Sequence, residues 1–197
     1  MLNNDVVIRT AEIDDAAGML DIYAYYVTKT AISFEYDVPS VSGFRERMRR
    51  VQERFPWCVA LDCDEIVGYA YASAFKERAA YAWNAETTVY VRAERRRGGI
   101  GRRLYAELES SLRKQGILSM KACIAVPEKD DEYLTRNSVN FHAHMGFRFV
   151  GEFQQCGYKF GRWYHMAWME KHIGEHRNEL TPPIPYPDTL KDCRRKV

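Results

Sequence analysis

No apolar run in this sequence approaches the roughly 18 residues that a membrane span requires. The opening residues, Met1-Leu2-Asn3-Asn4-Asp5, have neither the basic start nor the apolar centre of a secretory signal. Cysteine is sparse: Cys58, Cys63, Cys123, Cys156 and Cys193 make an odd five, with no Cys-x-x-Cys among them. That argues against a disulfide framework or a structural zinc site, and for a reducing, cytoplasmic setting. A surplus of one charge is lacking as well. Lys and Arg number 29 against 27 Asp and Glu, a net +2, which argues against a dedicated nucleic-acid binder. Internal repeats are absent too.

What is present is the composition of one globular domain with an appendage: 197 residues, 46% hydrophobic and 28% charged. Val6-Val7-Ile8 reads as a short strand. Met19, Ile22, Tyr23 and Tyr26 recur at helical spacing behind Asp14 and Asp15, two N-cap candidates. A second helix is expected over about 41–54, where Phe44, Met48 and Val51 share a stripe. The apolar runs 57–61 and 66–71 flank a polar Asp62-Cys63-Asp64-Glu65, a hairpin pattern. A β-branched strand at 87–91 follows, then an Arg/Gly segment and a helix carrying Leu104, Leu108 and Leu112. Further strands are expected at 121–126, about 147–156 and 160–169, with a short helix from Asn137 to Met145 ended by Gly146. Alternating elements in the middle and antiparallel pairs at both ends predict a mixed α/β sheet. From Glu175 the texture changes. Pro182, Pro183, Pro185 and Pro187 crowd together before a basic run, so 1–174 is read as the domain and 175–197 as a tail. The tail is expected to be an extended strap or a frayed end, not a helix.

The most informative stretch runs from Val89 to Leu104: a strand, a turn holding Gly98, Gly99 and Gly101, then an amphipathic helix. Glycines allow a close backbone approach to an anion, and the first helical N–H groups and the helix dipole favour negative charge there. Arg95, Arg96, Arg97, Arg102 and Arg103 surround the turn, which therefore reads as a pyrophosphate cradle. The plainer reading is a helix start with solvated arginines. No Gly-Lys-Ser/Thr is present, and Leu104 stands where a dinucleotide fingerprint starting at Gly99 needs its third glycine.

Arg96-Arg97-Gly98-Gly99-Ile100-Gly101 matches the Arg/Gln-x-x-Gly-x-Gly/Ala signature of the GNAT acyltransferase superfamily. Within it the chain resembles the phosphinothricin acetyltransferase family. Ile8 to Ala11, Ser33-Phe34-Glu35, Phe55-Pro56-Trp57, Val67 to Ala70, Ala80 to Val91, His142 to Phe147 and Gly157 to Trp163 carry that likeness in consistent order. The resemblance implies a GNAT fold with a strand splay for acetyl-CoA. It also implies N-acetylation of a small amino-acid-like amine, direct transfer without a metal, and a homodimer. The coenzyme is then expected at Val89, Tyr90, Val91, Arg96, Arg97, Gly98, Gly99, Ile100, Gly101 and Arg102. The main chain of Tyr90 and Val91 would hold the pantetheine arm.

An attacking amine must lose a proton, and the departing thiolate must gain one. Strand alternation places Glu86 on one face with Thr88 and Tyr90, and the resemblance implies that it is the general base. His142 matches the family's active-site histidine. The resemblance assigns Lys76, Arg78 and Tyr81, together with Phe34, to the acceptor pocket, and a cationic pair beside aromatics suits a carboxylate or phosphinate head group. Thr135 stands where many GNAT enzymes carry a coenzyme-side asparagine, Asn137 lies two residues on, and 128–134 reads as an insertion. Cys123 and Cys156 sit in strand patterns and are read as core. Two other readings stay open: a different amine acceptor (an antibiotic, a polyamine or a protein N-terminus), and a coenzyme-binding module without catalysis.

Overall fold

The computed structural model describes residues 6–96 and 98–194, with side chains as far as Leu190. The first five residues, Arg97 and the Cys193 side chain, all part of the sequence reading, lie outside the described residues. Among those described, the strands are β1 (Val7–Thr10), β2 (Trp57–Asp62), β3 (Glu65–Ala74), β4 (Asn84–Val91), β5 (Ser119–Val126), β6 (Arg148–Lys159) and β7 (Arg162–His172). The α-helices are α1 (Ala16–Lys29), α2 (Val41–Gln52), α3 (Ile100–Gln115), α4 (Asn137–His144) and α5 (Tyr186–Arg194). The strands form one sheet in the order β1-β2-β3-β4-β5-β7-β6. Every neighbouring pair is antiparallel except β4 with β5. This is the mixed α/β sheet that the sequence predicts and the GNAT resemblance implies.

Local chemistry explains the elements. The β2–β3 hairpin turns on Cys63 and Asp64 at φ 48° and 67°, a left-handed pair that matches the twist of the flanking strands. Ser40 Oγ accepts from Gly43 N and caps α2. Asp15 takes both guanidinium nitrogens of Arg9, at 2.6 and 2.7 Å, and the Glu12 N–H, anchoring the chain ahead of α1. One core lies under α1 and α2 and contains Met19, Tyr23, Tyr26, Phe44, Met48, Trp57 and Tyr69. The other lies under α3, around Leu104, Leu108, Leu112 and Met120. Strand β4 runs between them, sending Tyr90 to the first and Val89 and Val91 to the second, in the expected alternation.

The feature that positions the site is a defect in the sheet. β4 and β5 pair only at Asn84–Glu86 against Ser119–Lys121. Beyond Glu86 the two strands separate, which leaves one side of β4 without a strand partner.

The tail differs from expectation. It crosses the molecule without regular secondary structure over 173–185 and ends in α5, with Tyr186 and Thr189 buried. Pro187 does not prevent this helix because it sits in the first turn, where a backbone N–H has no helical acceptor to lose.

Candidate active site

Two cavities meet along the splay. The larger, about 800 Å³, is lined by Tyr26, Val89, Val91, Arg96, Gly99, Gly101, Arg102 and residues of the α4 end. Gly99 precedes α3 at φ 72°, where a side chain would be strained, and a Cβ there would face open space. The first bond of α3 runs from Arg103 N to Gly99 O, so the N–H groups before it point out of the helix end. Among the described arginines around this turn, Arg95 pairs with buried Asp62, and Arg103 donates to Val6 O. Arg96 lies over the rings of Tyr25 and Tyr26, and Arg102 lines the groove. Thr135 and Asn137 both reach this groove as well.

Main-chain direction along β4 refines the expectation for the pantetheine arm. Arg92 N donates to Val67 O on β3, and antiparallel alternation then turns the Tyr90 N–H and C=O toward β3 too. Val89 and Val91 direct theirs to the splay, where the Tyr26 hydroxyl already donates to Val91 O. The open pair therefore belongs to Val89, and Tyr90 contributes its ring to the cluster of Tyr23, Tyr26 and Tyr69. A groove of this size, with a glycine turn, an uncapped helix start and a free strand side, fits a coenzyme A thioester.

The smaller cavity, about 410 Å³, brings titratable and hydroxyl side chains together. Glu86, Thr87, Tyr105, Cys123, Ser138 and His142 line it together. Burial lifts the Glu86 carboxyl above the usual carboxylate range, and the Lys76 ammonium opposes that shift. His142 donates from Nδ1 to Ser138 O at 2.7 Å, which leaves Nε2 as an acceptor for the Tyr105 hydroxyl at 2.9 Å. Burial pushes His142 down to about 4, so its imidazole is neutral at pH 7. Burial raises the Tyr105 phenol. Composition and motif pass over Tyr105; the only trace in sequence is an aromatic on the apolar stripe of α3, which looks like core.

The acceptor side is divided. Phe34 lines the smaller cavity, and Gly157 leaves room for its ring: a Cβ there would lie 2.3 Å from Phe34 Cε2. The loop that carries Phe34 is pinned by buried Lys159, whose Nζ donates to the carbonyls of Val27, Thr30 and Ser33 at 2.7, 3.0 and 2.6 Å. Lys76 stands near Glu86, its Nζ 5.3 Å from the Phe75 ring centroid and 5.9 Å from that of Trp168. Arg78 and Tyr81 are elsewhere. With Arg54, Phe55 and Asn84 they line a separate cavity of about 210 Å³, which Lys76 also borders. Cys123 and Cys156 are exposed rather than core, because Cys123 lies where β5 faces the cleft and Cys156 where β6 bulges out of register. On that cleft wall the Cys123 thiol is nonetheless pushed up to about 12, by partial loss of solvation among the neighbouring side chains and by Glu86, which makes it a poor nucleophile.

Comparison with known proteins agrees with this geometry. Residues 8–168 match the acetyltransferase (GNAT) domain family. A phosphinothricin N-acetyltransferase of Streptomyces coelicolor is 34% identical over 85% of this chain and 96% of its own. An L-methionine sulfoximine/L-methionine sulfone acetyltransferase of Pseudomonas aeruginosa is 31% identical over 87% and 96%. The crystal structure of a phosphinothricin acetyltransferase from Sinorhizobium meliloti in complex with acetyl-CoA superposes with a TM-score of 0.82. It is 31% identical, with 94% of this chain and 97% of that one covered.

Proposed function

This chain belongs to the GNAT family and is an acetyl-CoA-dependent N-acetyltransferase, and from that premise we propose that its acceptor is a small amino-acid-like amine of the phosphinothricin or methionine sulfone and sulfoximine kind. The supporting observation is the position of Glu86: a carboxyl of raised affinity for protons at the point where β4 and β5 part, beside Phe34 and within reach of the Lys76 charge.

Bound acetyl-CoA supplies an activated acetyl thioester. Glu86 takes a proton from the acceptor ammonium, directly or through a water, and so frees the lone pair for attack. The Val89 N–H faces the splay and can donate to the carbonyl oxygen as charge develops on it. A nitrogen–carbon bond forms and the carbon–sulfur bond breaks; the nitrogen sheds a second proton as the amide forms and the thiolate takes one up, so the products are amide, thiol and the one proton that Glu86 passes to solvent. Tyr105, whose hydroxyl meets neutral His142 on the wall of the same cavity, is the group proposed to hand the sulfur its proton and to recover one from the proton that the nitrogen sheds. Lys76, and Arg78 from the neighbouring cavity, would hold the acid group of the acceptor. Two copies of the chain are proposed to associate. The edge strand β6 leaves Phe149, Val150 and Phe153 at 54, 56 and 59% exposed, an apolar row that a second copy would cover; sedimentation checks this.

The experiment is thiol release from acetyl-CoA across methionine sulfone, methionine sulfoximine, phosphinothricin, ordinary amino acids and polyamines. Fast release with the first three is expected. One observation favours a second reading: among its described lining residues the Glu86 cavity has two carboxylates, Glu35 and Glu86, and no Lys or Arg. If polyamines outpace the acid-bearing acceptors, the acceptor is a polycation and the head-group assignment falls.

A further inference from the structure

The segment after Gly174 lies beyond the matched family domain, which ends at residue 168, yet it is tied to the molecule at specific points. The Thr181 carbonyl accepts from the indole N–H of Trp83 at 3.1 Å. Ile184 exchanges two bonds with Gln115: its N–H donates to Gln115 O at 2.9 Å, and Gln115 Nε2 donates back to Ile184 O at 2.9 Å. The same Gln115 Nε2 donates to Arg54 O at 2.7 Å, and Tyr186 N donates to that carbonyl at 3.0 Å. Beyond this the Tyr186 hydroxyl meets Thr10 Oγ1 at 2.9 Å. Gln115 is 3% exposed and Tyr186 8%.

The placement of these contacts matters more than their number. Arg54 is one wall of the cavity that holds Lys76, Arg78 and Tyr81. Trp83 is the last residue before β4 and ends the loop that supplies those three side chains. Its own carbonyl accepts from Leu118 N and Ser119 N, at 2.9 and 3.2 Å, fixing the start of β5 beside the start of β4. The strap thus fastens both flanks of one cavity, Trp83 on one side and Arg54 on the other, with buried Gln115 between them. A cap for α3 alone would need only the Ile184–Gln115 pair.

We propose that the C-terminal strap is a positioning element for the 75–83 loop, so that selection of the acceptor depends on a segment outside the GNAT domain. This rests on the reading that Lys76 and Arg78 hold the acceptor's acid group. Among the described residues the strap lines neither the coenzyme groove nor the Glu86 cavity, so it acts on acceptor binding and leaves coenzyme affinity alone.

The test uses the full-length chain. Trp83→Phe keeps a ring and removes the indole N–H; Gln115→Met keeps length and removes both Nε2 bonds. Each is compared with wild type by hydrogen exchange of the 75–84 amides, by the KM for the best acid-bearing acceptor and by calorimetric affinity for acetyl-CoA. The expected result is faster exchange in that loop and a KM raised about fivefold, the factor a hydrogen bond's net worth corresponds to. Coenzyme affinity stays at the wild-type value. A lower thermal midpoint with loop exchange and KM unchanged would mean that the strap only stabilises the fold, and would overturn the proposal. If wild type uses no acid-bearing acceptor, the head-group reading fails by itself. Loop exchange still decides whether the strap positions the loop.

Discussion

The proposed coenzyme groove and the proposed acceptor cleft share the β4–β5 splay but are built by opposite means. The groove draws most of its features from one contiguous stretch, Val89 to Arg102, and much of its chemistry is main chain: the Val89 amide, the left-handed Gly99, the open start of α3. The cleft is assembled from side chains far apart in sequence: Phe34, Glu86, Tyr105, Cys123, His142 and Met166. A backbone site needs small residues at a few positions and tolerates wide variation around them. A side-chain site needs each group placed by the packing behind it, as Lys159 places the loop of Phe34. Binding on the first side and selectivity with chemistry on the second should therefore come apart under mutation.

The largest expected separation is at Glu86. Glu86→Gln should lower kcat by about a hundredfold or more, as for loss of a general base, while calorimetric affinity for acetyl-CoA stays as in wild type. Because burial raises the Glu86 carboxyl, the wild-type rate should climb with pH through a region above the ordinary carboxylate range. A Gln variant with undiminished turnover would remove Glu86 from the chemistry.

Acid should affect the side-chain half next. His142 falls from the ordinary 6.5 to about 4 in the folded chain, so below pH 6.5 the unfolded chain binds the proton that the folded one refuses. Stability is then complete above 6.5 and is lost progressively as pH falls toward 4, by roughly 3 kcal/mol in total. His142→Gln should flatten that slope in chemical denaturation series. Equal slopes in variant and wild type would show that imidazole burial is not what costs stability in acid.

Gly99→Val tests the other half. The position has φ 72° and faces the open groove, so a branched side chain is both strained and in the path of the ligand. Affinity for acetyl-CoA should weaken by about tenfold or more, on the scale of one to three kcal/mol of backbone strain. The acceptor's KM at saturating coenzyme should hold. A rise confined to the acceptor's KM would erase the distinction between the halves.

The same contrast explains what was legible in sequence. The strand–turn–helix of 89–104 is local, so glycine spacing and the leucine stripe reported the fold there. Strand alternation was local too and placed Glu86, Thr88 and Tyr90 on one face. It could not say which strand Tyr90's main chain faces, because that depends on pairing with β3. Cys123 looked like core for a similar reason: only the splay turns its position on β5 into a cavity wall. The helix in the tail escaped notice because four prolines dominate its composition, while Pro187 occupies the one turn that tolerates it. Tyr105 carried no pattern beyond an apolar stripe, and its hydroxyl acquires meaning only against His142.

The smallest effect falls within the acceptor half and asks whether it is one site or two. Lys76 is close enough to Glu86 to oppose its raised proton affinity, whereas Arg78 lines the neighbouring cavity with Tyr81. Lys76→Met should raise the KM for an acid-bearing acceptor several-fold. It should also move the rising limb of the pH–rate profile to higher pH, since Glu86 loses the cation that favours its charged form. Arg78→Met should raise KM by a similar factor with the profile in place. If the two cavities act independently, the double variant shows the product of the two KM changes and the Lys76 profile. If a single acid group is held between both cations, removing the second after the first costs little, and the double variant falls well short of the product. That shortfall would join the two cavities into one acceptor site, with the 75–83 loop as the wall between them.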